Sequence, residues 1–279
     1  MKAGSRVLVI AALAAMFGLT ACVSAMAQEQ SRESMAVDAT AAQWSFQFAF
    51  EDYYDYNEDS LDTGGFRKPG NKGFLQFRMV APIPKSESFP MTLLPRLTLR
   101  VIENSAGDFG FGSSDIFALG IINEWATGRW GLGPQINFPA QSSEFGNTNW
   151  GFGLAGAVTQ RALSDKLFFA FLVQQTWSKK MDGSGDYGAS PLSLNPAFTY
   201  QLGQGWYIGN GDYLIQYHWD ANAWFIPFGV RFGKAFVGDN STWNAYLEYS
   251  SSVYYEDWPG PVAGQALRVN VQYQIPVGG

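Results

Sequence analysis

The side chains able to do acid–base, nucleophilic or metal chemistry are few and scattered. His218 is the only histidine and Cys22 the only cysteine among 279 residues. A serine–histidine catalytic unit would have to use His218, and no serine motif accompanies it. A lone cysteine forms no disulfide within one chain, and its place in the leader removes it from thiol chemistry in the mature protein. The acidic group Asp52, Asp55, Glu58, Asp59 and Asp62 does not follow the spacing of a calcium loop and reads as a solvated acidic loop. The glycines from Gly107 to Gly112 lack the strand-to-helix setting of a phosphate cradle and serve as turns. No enzyme, metal site or cofactor is expected.

What remains is ionic and amide chemistry on one face of an extended chain. Arg78, Arg96, Arg100, Arg231 and Arg268 alternate with apolar neighbours, as do Glu51, Glu248, Gln135, Asn137, Asn195, Gln216, His218 and Asn270. Turning such groups inward is costly unless they pair or meet water. Two expectations stay open. Either the arginines pair with Glu51 and Glu248 across a filled interior, or a basic wall borders a narrow aqueous path that favours anionic or polarisable solutes. Gly151, Gly153, Ala155 and Ala157 would widen one side of that path.

The elements that hold these residues read as strands. In the first, Trp44, Phe46, Phe48 and Phe50 share one face while Ser45, Gln47, Ala49 and Glu51 share the other. The same alternation recurs at 75–79, 96–101, 130–138, 150–159, 192–200, 213–219, 224–232, 243–250 and 267–274. The stretches 115–123 and 167–177, apolar on both faces, complete about twelve strands. Because lipid offers no hydrogen-bond partner, a spanning sheet must close on itself, with apolar residues outward and polar ones permitted inward. Trp44, Trp130, Trp150, Trp177, Trp206, Trp219, Trp224, Trp243 and Trp258 fall at or beyond strand ends, where interfacial girdles belong. The expected fold is all-β: an up-and-down antiparallel transmembrane β-barrel over 44–279. Long connectors such as 52–72, 104–114, 140–149, 178–190 and 254–265 suit the outside, and short ones such as 163–166 and 203–205 suit periplasmic turns. Pro82, Pro84, Pro90 and Pro95 crowd one connection that should hold no regular ladder.

The start of the chain sets the compartment. Lys2 and Arg6 precede an apolar run from Val7 to Ala21, followed by small residues, so 1–27 reads as a signal peptide. Two cleavages compete: after Ala27, or before Cys22 in a lipoprotein box. Residues 28–43 read as a flexible lead-in. Removing Lys2 and Arg6 leaves 16 basic against 24 acidic residues, a balance of −8, which does not favour nucleic acid. Expected partners are outer-membrane lipid, the barrel-assembly machinery and a small solute, and the expected location is the cell outer membrane.

Some of the text is more specific. Gly112-Ser113-Ser114-Asp115-Ile116, Trp130-Gly131-Leu132-Gly133-Pro134-Gln135-Ile136-Asn137-Phe138-Pro139 and Trp224-Phe225-Ile226-Pro227-Phe228-Gly229-Val230-Arg231-Phe232-Gly233-Lys234 stand out, with Asn195-Pro196-Ala197 between them. This text resembles the outer-membrane barrel family associated with the meta pathway of phenol degradation, over about 44–276. The resemblance implies a transporter of small solutes, aromatic or hydrophobic ones among them. The alternative is a structural or ligand-recognition barrel with a filled lumen and no transport.

Overall fold

The computed structural model describes residues 31–38, 40–61, 64–163, 165–180 and 185–277; the expected signal peptide, its competing cleavage sites and Cys22 lie outside the described residues. The strands are β1 (Gln43–Tyr56), β2 (Gly73–Val80), β3 (Leu93–Glu103), β4 (Phe109–Phe111), β5 (Ser114–Trp125), β6 (Gly128–Phe138), β7 (Gly151–Ala162), β8 (Leu167–Lys179), β9 (Tyr187–Ala189), β10 (Leu192–Gly203), β11 (Trp206–Asn210), β12 (Ile215–His218), β13 (Ala223–Val237), β14 (Thr242–Tyr254) and β15 (Ala263–Pro276). Three pairs are halves of one interrupted strand. β4 and β5 both pair with β3, β9 and β10 both pair with β8, and β11 and β12 both lie between β10 and β13. The wall therefore has twelve antiparallel positions. It closes through β1 and β15, in register from Gln43↔Pro276 to Tyr53↔Ala266 and with an irregularity at Asp55 before Tyr56↔Ala263.

Closure satisfies the backbone, which frees the outer face to be wholly apolar. Phe48 is 62 % exposed and Leu154 51 %, whereas their neighbours Gln47 and Ala155 are buried inward. Aromatic rings mark both rims of this belt. Trp44, Trp130, Trp206 and Trp243 lie towards the end that holds both described ends of the chain, and Trp150, Trp177, Trp219 and Trp224 towards the other. Trp258 departs from the girdle expected of it. Only 8 % exposed, it packs with Ala223 and Val262 inside the connection between β14 and β15, where the Arg67 guanidinium donates to its carbonyl.

Connections 139–150 and 255–262 crown one end, while 126–127 and 204–205 make tight turns at the other. Two connections depart from the expected alternation of length: 81–92 is long at the end of the tight turns, and 219–222 is short at the opposite end. Pro95 is not in a connector but inside β3 opposite Ala118, where its carbonyl still accepts from Ala81 N at 3.0 Å. A proline loses only its donor, so one ladder position tolerates it. The remaining prolines of that run lie in a connection with only isolated bridges, Ile83↔Leu93 and Ser86↔Phe89.

The described part of the lead-in, 31–38 and 40–42, contains one short helical element. A single helical turn, α1 (Arg32–Met35), is capped by Ser31, whose hydroxyl accepts from Ser34 N at 3.2 Å. The stretch that follows enters the barrel mouth. Asn244 Nδ2 and Gln274 Nε2 both donate to the carbonyl of Ala36, at 3.1 and 3.0 Å. Asp38 lies 3.4 Å from Arg129 Nη2, and Arg129 Nη1 donates to the Thr40 carbonyl at 2.9 Å. The segment has too little apolar surface for a core of its own. Lumen amides and an arginine satisfy its backbone instead.

Candidate functional site

The interruption between β11 and β12 builds the centre of the lumen. β11 pairs with β10 and β13 up to Asn210, after which Gly211 to Leu214 leave the wall before β12 resumes. The Asn210 side chain replaces the missing ladder on the β10 side. Its Nδ2 donates to Pro196 O at 2.6 Å and its Oδ1 accepts from Phe198 N at 2.5 Å. Gly211 permits the inward turn, because a Cβ there would collide with the Glu248 carboxylate.

Asp212 is carried inward by this excursion and becomes the hub of the lumen. Its Oδ2 lies 3.1 Å from Arg78 Nη1 on β2 and 3.2 Å from Arg268 Nη2 on β15, while its Oδ1 accepts from Asn195 Nδ2 at 3.1 Å. Its backbone N–H donates to Glu248 Oε2 at 2.8 Å. Counted round the ring through β1, β15, β14 and β13, β2 is five strands from the β11–β12 position out of twelve, so the carboxylate bridges nearly opposite walls. Beneath the bridge runs a row of alternating charge, Arg231, Glu248, Arg268 and Glu51, paired in register on β13, β14, β15 and β1. Arg268 Nη1 donates to Glu51 Oε2 at 3.0 Å. Desolvated charges persist in such a site because each meets an opposite charge or a fixed donor.

The arginines divide into two groups. Arg78, Arg100 and Arg268 are ion-paired, Arg100 with Asp115 at 3.2 Å. Among the described residues Arg96 and Arg231 have no ion pair. The Arg96 guanidinium lies over the Phe117 ring at 4.2 Å and makes no hydrogen bond. Arg231 donates to Thr199 Oγ1 at 2.8 Å and sits between the rings of Tyr207 and Tyr246, at 5.8 and 5.4 Å. Cation–π contact neutralises no charge, so Arg96 keeps its positive charge, while Arg231 stands beside Glu248 in the β13–β14 ladder without a direct ion pair.

Two cavities meet at the bridge. The outer one, about 870 Å³, is lined by Glu51, Arg100, Gln135, Asn137, Gln216 and loop residues such as Tyr56, Asn147 and Pro261. Gln174, Gln135, Asn137 and Thr176 form a continuous hydrogen-bonded lattice on one wall of it, with distances of 2.9, 2.8 and 3.0 Å. The inner one, about 120 Å³, has apolar walls including Leu94, Phe117, Leu119 and Phe168, and the lead-in residues Ala36, Val37 and Thr40 as its floor. Arg78, Arg96, Leu172, Asn195 and Asp212 line both.

Three of the residues expected to line the path lie away from open space. Glu248 is 3 % exposed beneath Asp212, and Asn270, accepting from Gln47 Nε2 at 2.6 Å, is equally enclosed. His218 stands at the outer rim, where Nδ1 accepts from Ala221 N at 3.2 Å and the ring meets Trp258 edge-on. Asp212 itself was not among the expected residues. The glycines on both sides of Asn210, in a segment otherwise alternating like a strand, were the available sign that the ladder breaks there.

A closed twelve-stranded barrel with an apolar outer belt, a polar lumen and a central charged bridge is a channel-like architecture. Among solved structures, an outer membrane channel from Pseudomonas putida F1 is similar, with a TM-score of 0.60 and 15 % identity over 84 % of this chain and 95 % of that one. The KdgM porin in complex with disordered oligogalacturonate aligns with a TM-score of 0.47 and 10 % identity, over 85 % of this chain and 99 % of that one. No family model matches the chain, and no curated protein matches it.

Proposed function

We propose that this protein resides in the outer membrane and is a channel for small solutes, in which a wide polar vestibule leads past Asp212 to a narrow, positively charged chamber closed from the periplasmic side by residues 31–42. The observation that carries the reading is the division of the arginines. Those needed to hold the bridge are neutralised, while Arg96 keeps its charge where the two cavities join and Arg231 carries its own on the wall of the inner one. A wall of this kind lowers the barrier for anionic and polarisable solutes and raises it for cations. Aromatic solutes, implied by the family resemblance, belong to the same proposal.

A filled barrel that recognises or stabilises without transport is the second reading, favoured by the Arg78–Asp212–Arg268 bridge and the seated lead-in. Single-channel conductance of the refolded protein in planar bilayers separates the two. Discrete conductance with anion preference, reduced in Arg96→Ala and little altered in the ion-paired Arg100→Ala, supports the channel. Silence from a folded, heat-modifiable barrel supports the filled lumen.

A further inference from the structure

We infer that the inner chamber is a binding site for one small monocarboxylate with an apolar body, a single ring or a short alkyl chain, and that Arg96 is the group that recognises its carboxylate. The inference rests on the solute-path reading above and names what the path selects.

Three observations converge on that ligand. First, Arg96 is a cation without a counter-ion. The carboxylate nearest in role, Asp212, is held by Arg78 and Arg268, and Asp115 is held by Arg100. Among the described residues the Arg96 guanidinium makes no hydrogen bond, and because the side chain lines both cavities its Nη groups are the donors open to a ligand at their junction. A planar fork with free donors matches a carboxylate in two parallel hydrogen bonds.

Second, one wall of the space below is apolar, formed by Leu94, Phe117, Leu119 and Phe168, while Gln47, Tyr207, Asn244, Tyr246 and Gln272 line other parts of it. A free inorganic anion would leave that wall bare, whereas a ring or alkyl chain covers it while its carboxylate stays at the ceiling. An apolar cavity of about 150 Å³ accepts benzene, and this chamber of about 120 Å³ opens upward at Arg96, leaving the charged end of the ligand outside that volume.

Third, the stack of Arg96 on Phe117 fixes the guanidinium plane against the chamber wall at 4.2 Å, so little side-chain freedom is lost on binding. Arg231 on the facing wall, beside Glu248 in the ladder, adds a second guanidinium that favours an anion over a cation or a neutral amide.

The test is isothermal titration calorimetry of the refolded full mature chain in detergent micelles, with sodium benzoate, sodium butyrate and the neutral isostere benzamide as probes. Saturable one-site binding of benzoate and butyrate is expected, with no benzamide binding. Arg96→Gln should weaken benzoate at least tenfold. Ala157→Leu, which fills the chamber without altering charge, should do the same, so that loss in a heat-modifiable barrel cannot be laid to one misfolded variant. Benzoate binding of equal strength in Arg96→Gln, benzamide binding as well as benzoate, or no saturable benzoate binding to the folded wild type would each overturn the inference. Conductance of the same preparation keeps the two readings apart. Conduction without benzoate binding sinks the site and spares the channel, while benzoate binding to a silent barrel sinks the channel and spares the site.

Discussion

Asp212 Oδ2 stands 3.1 Å from Arg78 Nη1 although the two residues belong to nearly opposite walls of the barrel. With Arg268 on the same oxygen, and Glu51 on the other side of Arg268, two carboxylates balance two inward arginines. Asp212→Asn would leave Arg78 facing low-dielectric surroundings without a counter-charge, while Arg268 keeps Glu51. Breaking a dry buried pair costs about 3–5 kcal/mol; water from the outer cavity reduces that here. The midpoint of the heat-modifiable gel shift should fall, and the conductance should rise with stronger anion preference. An unchanged midpoint would show that the bridge is not structural.

Removing residues 31–42 should enlarge the path. They form the floor of the inner chamber and are held by Asn244, Gln274 and Arg129. The deleted chain should conduct severalfold more than the intact one in planar bilayers, with its wall otherwise unchanged by circular dichroism. Equal conductance would mean that solutes pass the segment where it sits.

The outward belt makes its own prediction. Phe48 lies midway along β1 on the lipid face. Phe48→Arg should cost about 2–4 kcal/mol, the range for a basic residue near the midplane of a barrel, read from urea titrations of folding into lipid vesicles. Gln216→Arg, which points the same charge into the aqueous outer cavity, should shift the titration little.

His218→Ala isolates the rim. The imidazole accepts one backbone hydrogen bond and packs on Trp258, away from both cavities. Conductance and selectivity should stay as in the wild type, with a stability loss of about 1 kcal/mol from the lost hydrogen bond. A changed selectivity would place the histidine on the solute path.

These contrasts also explain which parts could be read from the residues. Twelve wall positions were visible, because lipid on one side and polar space on the other force a period of two on most strands, as in Trp44 to Glu51, while 115–123 and 167–177, apolar on both faces, were placed by their position between the others. Long-range order was not visible. Gly211 and Asp212 sit in text that alternates through Tyr213, Ile215 and Tyr217, and the close approach of the Glu248 carboxylate, which leaves no room for a Cβ at 211, comes from a residue three dozen positions on. The contacts that seat the lead-in were hidden for a related reason. Its stability comes from Asn244, Gln274 and Arg129, each of which looks in its own strand like one more inward polar residue. Trp258 followed the rule for strand-end tryptophans until Val262 and Ala223 gave it a pocket.

The position of the bridge matters for how the molecule comes together. β15 and β1 are the last and first strands, and their pairing is the joint at which the sheet becomes a cylinder. Arg268 lies on one side of that joint and Arg78, beyond β1, on the other; Asp212 touches both. The three-way contact can therefore exist only after the joint has zipped. In a half-made sheet Asp212 would have at most one of its arginines, so the final closing step gains ionic contacts that no earlier step can supply. A single inward-turned carboxylate thus works as an internal clasp on the cylinder.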